Sequence, residues 1–227
     1  MYNLLKSELY RLKYSKELKL TLLLICILGA ITIYFHGNPT GRENLLDEST
    51  QIFSLIACAI FAGMFIGNEF SKRTIFHLIV SGHNRVSVLS SKFLSYLIGC
   101  IIIIVSNIII NGGLYTIFYG WSVPFNKPEL IFTITYILIN ILFSLCIASI
   151  VFIIPLIIRD GTTATVTSAF IMVLFLTLSQ VFWLNTTLNI ANGTKDIKTI
   201  STVGIIIAIP IIVILIGNLL FKTQDIK

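Results

Sequence analysis

The sequence predicts an all-α membrane protein with six transmembrane helices and an N-terminal interfacial amphipathic helix, and three observations carry that prediction. Apolar residues make up 56% of the 227-residue chain and charged residues only 11%, where an average soluble domain carries roughly 25% charge. A soluble fold with so few charges has nothing to solvate its surface. The apolar residues also gather into runs close to the ~20 residues that span a bilayer. Finally, Lys and Arg fall into short connections and the first nineteen residues. That is the distribution of the positive-inside rule, not of a basic patch for nucleic acid.

Residues 1–19 form the interfacial helix. Met1, Tyr2, Leu5, Leu9 and Leu12 share one arc of a helical wheel, with Lys6, Ser7 and Lys13 off it, so lysines face anionic headgroups while the arc enters the interface. The first span, 20–35, ends in no small-residue cleavage pattern and reads as retained rather than as a signal peptide. The second span is 52–66, flanked by Gln51 and Asn68. The third, 93–121, is long enough to tilt or kink near Gly112 and Gly113, and the fourth, 130–158, carries Pro155 near its end. The turn Arg159-Asp160-Gly161-Thr162 leads tightly into a fifth span at 163–184, and the sixth is 203–221. Residues 1–227 thus read as a single transmembrane domain without a convincing internal repeat.

Twelve Lys and Arg fall on the side of the N-terminal segment, the 69–92 loop, Arg159 and the C-terminus. Four, namely Arg42, Lys127, Lys195 and Lys198, fall on the other. That asymmetry places both termini in the cytoplasm, in agreement with an even number of spans.

The four cysteines, Cys26, Cys58, Cys100 and Cys146, lie in apolar runs without CxxC spacing or a nearby His, and read as small buried hydrophobes. No Asp, Glu, Lys or Arg falls within the six spans, whereas ion- and proton-coupled carriers usually bury such groups. The polar residues at depth are Asn107, Asn111, Asn140, Ser144, Gln180 and Asn218. They serve first as interhelical hydrogen bonds of about 0.6 kcal/mol each. Asn107, Asn111, Asn140 and Gln180 are the candidates for a translocation path.

No catalytic residue, metal ligand or cofactor site is expected in this chain. The stretch 67–74, Gly-Asn-Glu-Phe-Ser-Lys-Arg-Thr, lacks the glycine before lysine that a phosphate-cradling loop requires. His77 and His83 sit in a basic loop with no paired acidic motif, and no Gly-x-Ser-x-Gly elbow occurs. The 69–92 loop is nonetheless unusual. Ile75, Phe76, Leu78, Ile79 and Val80 form an apolar patch between Lys72-Arg73 and Gly82, which needs the interface or a partner protein to cover it.

This loop resembles that of permease subunits of type-2 (ABC-2) ABC exporters. There an acidic residue follows the second span, a Thr preceded by a glycine or basic residue opens a short apolar helix, the helix ends in Ser-Gly-x-x-Arg, and a Lys opens the next span. Those positions read here Glu69-Phe70, Arg73-Thr74, Ile75 to Val80, Ser81-Gly82-His83-Asn84-Arg85 and Lys92. The family's usual glycine before the Thr is Arg73.

The resemblance implies an ABC-2 type permease fold in a bacterial cell membrane. It implies two permease subunits, identical or paired with a sister chain, on two ABC ATPase subunits that bind ATP and Mg. Chains of this length resemble transporters for self-protection against bacteriocins, lantibiotics or bacitracin-like peptides. The resemblance gives Glu69, Arg73, Thr74, Ile75, Phe76, Leu78, Ile79, Gly82 and Arg85 the role of coupling ATPase motion to the spans. A charge-assisted contact from Glu69, to Arg73, Arg85 or a partner, is expected to lock span to loop.

A charge-free translocation surface suits a membrane-active peptide or lipid-like substrate. Membrane lipid is the other expected partner, and nucleic acid is not one. The competing reading is a non-transporting membrane scaffold or assembly subunit, which shares composition and topology but needs no ATPase.

Overall fold

A computed structural model describes residues 2–35, 39–124, 126–191 and 197–223, with side chains at 3–35, 39–47, 51–124, 126–176, 204 and 208–220. Every regular element among them is helical. α1 (Tyr2–Tyr14) and α2 (Lys16–Phe35) are separated by Ser15. Its hydroxyl donates to the Leu12 carbonyl at 2.8 Å and accepts the Leu18 N–H at 3.3 Å, so one side chain ends the first helix and caps the second. α1 buries Leu4, Glu8 and Leu12 and packs on α7 (Arg85–Asn107). This corrects the expected stripe: Leu5 and Leu9 are only half-buried, and a carboxylate occupies the middle of the buried face.

A short helix, α3 (Gly41–Leu46), precedes α4 (Glu48–Ala62), which continues through a π-helical turn at Gly63–Gly67 into α5 (Asn68–Ser71). The loop helix α6 (Thr74–Val80) follows. α7 then runs through a second π-helical turn, Ile108–Gly112, into α8 (Gly113–Tyr119), where the sequence suggested a kink. α9 (Lys127–Val151) breaks at Phe152 before α10 (Ile153–Ile158), because Pro155 has no N–H for the carbonyl of residue 151 and crowds the preceding turn. α11 (Gly161–Ala191) and α12 (Ile197–Thr223) complete the chain.

Among the described residues, four helical stretches are long and apolar enough to cross a membrane: Lys16–Phe35, Gln51–Ser71, Arg85–Tyr119 and Lys127–Ile158. The expected fifth and sixth spans coincide with α11 and α12, whose described apolar parts, Gly161–Leu176 and Ala208–Leu220, are shorter. The observed stretches also reach further than expected. Glu69 and Lys92, assigned from sequence to the loop, lie within the Gln51–Ser71 and Arg85–Tyr119 helical stretches and are buried.

α4 is central and packs against α2, α7, α9 and α11. Phe61 stacks on Phe65 and Tyr96 at 5.0 and 5.9 Å, and Tyr96 meets Phe152 at 5.5 Å, which joins three helices through one aromatic column. Gly63 lets α4 and α11 approach closely: a Cβ there would fall 2.3 Å from the Thr165 Cα. Outward faces are apolar, with Leu23, Ile27 and Ile31 exposed on α2 and Ile134, Leu138 and Leu142 on α9. Cys58, Cys100 and Cys146 are buried as expected, but Cys26 faces outward among the α2 residues.

Candidate functional site

Two polar centres stand on α7. Lys92 and Asn107 are fifteen residues apart, so about 22 Å separates them along the helix axis.

The first centre joins α1, α5 and α7. Lys92 Nζ lies 2.5 Å from a Glu8 carboxylate oxygen and 2.6 Å from Glu69. Arg11 forms a further ion pair with Glu69 and lies 3.6 Å from Glu8. Its guanidinium also donates to the Phe65 carbonyl at 3.3 Å, in the first π-helical turn, and stands 4.6 Å from the Phe65 ring. Glu8, Glu69 and Lys92 are all buried. Two cations thus balance two carboxylates, which is the condition for burying charge at all.

This arrangement corrects the expected contacts of Glu69, whose ion-pair partners are Arg11 and Lys92 rather than Arg73 or Arg85. One sequence signal pointed to it: Glu8 interrupts the apolar arc of α1 between Leu4 and Leu12. A carboxylate on a helix face that must be buried requires a buried cation.

The loop residues surround this clamp. The Thr74 hydroxyl donates to the Glu69 carbonyl at 3.2 Å. Ile75 is buried, while Leu78 and Ile79 are partly buried against the core. Phe76 is half-buried and Val80 is 82% exposed. The patch that needs a cover is therefore smaller than the sequence suggested. Arg73 and Gly82 bracket α6 with φ of 56° and 92°, and Arg85 begins α7 half-buried. An open cavity of about 470 Å³ lies between α1 and the loop, lined in part by Glu17, Lys72, His77 and the clamp residues.

Nearby, the Ser71 hydroxyl accepts the Gly161 N–H at 2.8 Å and lies 3.4 Å from the Asp160 carboxylate. This ties the base of α5 to the start of α11. Asp160 is held down to about 2 by the Thr163 N–H, the Thr163 and Thr162 hydroxyls and Ser71, so it remains a carboxylate cap in all but strong acid.

The second centre brings together three of the four expected path residues. Asn107, Asn111 and Asn140 line one cavity of about 20 Å³ with Asn44, Gln51, Ser54 and Tyr136; Gln180 lies outside the described side chains. Asn111 donates to Asn107 at 2.6 Å, Gln51 to Tyr136 at 2.6 Å, and Ser144 to Asn140 at 3.4 Å. The Asn111 Oδ1 is buried without a hydrogen-bond partner, in space left by Gly29, where a Cβ would fall 2.5 Å away.

Above this cavity sits α3. A capping box between Thr40 and Glu43 closes its first turn. The Gly41 N–H donates to the Gly120 carbonyl at 2.9 Å. Arg42 pairs with Glu129 at 2.6 Å, and its guanidinium lies 5.2 Å from the Phe132 ring. The sequence suggested neither partner, because residues 42 and 129 are 87 apart.

No protein-family model matches the chain, and no curated protein is similar to it.

Proposed function

We propose that this chain is the six-span membrane permease of an ATP-driven ABC-2 type exporter. Its ATPase is a separate subunit, and a second permease chain completes the translocation unit in a bacterial plasma membrane with all termini cytoplasmic. The observation that carries the reading is the clamp formed by the buried Glu8, Glu69 and Lys92 with the partly exposed Arg11. It ties the interfacial helix, the base of the second span and the start of the third into one block, and α6 hangs from that block through Thr74 and Ile75. A force applied to α6 from the cytoplasmic side reaches two spans together.

Phe76 and Val80 are the apolar residues of α6 that do not pack against the core, and they are the proposed contact with the ATPase. The uncharged cavity of Asn107, Asn111 and Asn140 lies further along the same spans. It supports an amphipathic or membrane-active peptide or lipid-like substrate, since a charged one would find no counter-ion there.

Purification of the chain from its native membrane, with associated proteins identified and assayed for ATP hydrolysis, tests the reading. An ATPase is expected at equal stoichiometry with the permease. Phe76→Ala with Val80→Ser is expected to reduce its recovery about tenfold or more, since these two contacts carry roughly 1.5–3 kcal/mol of burial each. Recovery of the chain with no ATPase would overturn the function. Unchanged recovery in the double variant would overturn the contact.

A further inference from the structure

We propose that α3 is a lid over a binding site for an uncharged hydrogen-bonding group, such as a backbone amide of a peptide, and that the Arg42–Glu129 pair is its latch. The inference deepens the path reading above, on whose asparagines it rests. The site's chemistry follows from its walls. Gln51, Ser54, Asn107, Asn111 and Asn140 offer carboxamides and a hydroxyl, and no charged side chain lines the cavity among the described residues. An ion entering would be desolvated without compensation, whereas an amide would exchange its water partners for carboxamides.

The need for a lid follows from size. The cavity measures about 20 Å³, enough for roughly one water molecule, so any larger occupant requires a wall to move. The wall best suited to move is α3, which contributes Asn44 and Leu45. It spans six residues closed by its own capping box, so its first turn keeps its hydrogen bonds when the helix shifts as a unit. Two of its attachments lie outside the cavity, Gly41 to Gly120 and Arg42 to Glu129 at the start of α9, while its inner face packs on the π-helical turn Ile108–Gly112 and on α8. Breaking the latch therefore loosens the outer end of the lid without altering a cavity-lining side chain.

Thiol labelling tests both halves. Ser54→Cys is introduced into a Cys26→Ser background, whose own labelling is subtracted, and the chain is kept in membrane fragments open on both faces. Three methanethiosulfonates of similar size are compared: neutral hydroxyethyl, cationic trimethylammonioethyl and anionic sulfonatoethyl. Each rate is normalised to that of a cysteine placed at exposed Ser122. With the latch intact, labelling by all three is slow. Arg42→Glu or Glu129→Arg alone is expected to raise the hydroxyethyl rate about tenfold, as loss of a charge-assisted hydrogen bond implies. The charge-swapped double variant should return it to the starting rate.

Equal normalised rates for the neutral and charged reagents in the opened variants would overturn the chemistry of the site. Failure of the single variants to open it, or of the swap to close it, would overturn the lid. Neither readout involves an ATPase, so failure of the transporter reading leaves this test unaffected, and failure here leaves the ATPase contact at Phe76 and Val80 standing.

Discussion

Arg73 occupies a backbone conformation that its side chain does nothing to favour. With φ of 56° it precedes α6 in the left-handed region, which costs a residue with a Cβ roughly 1–2 kcal/mol. Glycine adopts this region without that cost, so the backbone here has a preference that the side chain does not meet. Arg73→Gly is expected to stabilise the chain by up to about 1 kcal/mol, the strain relieved less the added freedom of the unfolded chain. Arg73→Val should destabilise it, because a β-branched residue tolerates positive φ worst. Thermal unfolding midpoints in detergent check both. Equal midpoints for the two variants would mean that the turn adapts.

At the scale of elements, the packing of α4 on α11 is set by small residues. Gly63 and Gly67 are four apart, the small-xxx-small spacing that lets membrane helices approach closely. A Cβ at Gly63 would meet backbone atoms of Thr165, its Cα at 2.3 Å and its N at 2.6 Å, so no rotamer change relieves the clash. Gly63→Ala is therefore expected to cost about 1–3 kcal/mol. Gly113→Ala, with nothing within 4 Å of the added Cβ, should be neutral or slightly stabilising. Matched thermal midpoints for these two variants would show that the helices separate without penalty. The elements were largely legible from hydropathy, because an apolar run has few alternatives to helix. The π-helical turns were not, since the extra residue in such a turn arises from packing rather than from local preference.

Over the whole molecule, composition revealed the class of the chain but not its charged centre. Glu69 was recognisable as the residue to watch, and Lys92 as the lysine opening a span. That they meet, with Glu8 and Arg11 supplied from the first helix, depends on tertiary contacts across 23 and 84 residues, which no window of sequence contains. The asparagines were found by type, as polar groups at depth, and only packing shows that three of them share a wall. The clamp makes a direct prediction. Glu69→Gln leaves Lys92 paired with Glu8 and takes the main counter-charge from the partly exposed Arg11, which after solvent screening costs about 1–3 kcal/mol, less than a fully buried charge would. Adding Lys92→Met restores neutrality, with one cation and one carboxylate remaining. The double variant should recover most of the stability lost by the single one, measured as the fraction of monodisperse protein after heating. No recovery would mean that the four groups are not balanced as a unit.

The clamp also imposes an order on biosynthesis. A ribosome delivers α1 first, yet its Glu8 has no lysine until Lys92 has emerged, 84 residues later. Arg11 likewise waits 54 residues for the Phe65 carbonyl. Until then the first helix carries a carboxylate within the face it is meant to bury. A nascent chain arrested before α7 thus holds Glu8 with Arg11 alone beside it and lacks the Lys92 pair. Completion of α7 supplies that pair, so the same four side chains that brace the finished protein distinguish it from its unfinished forms.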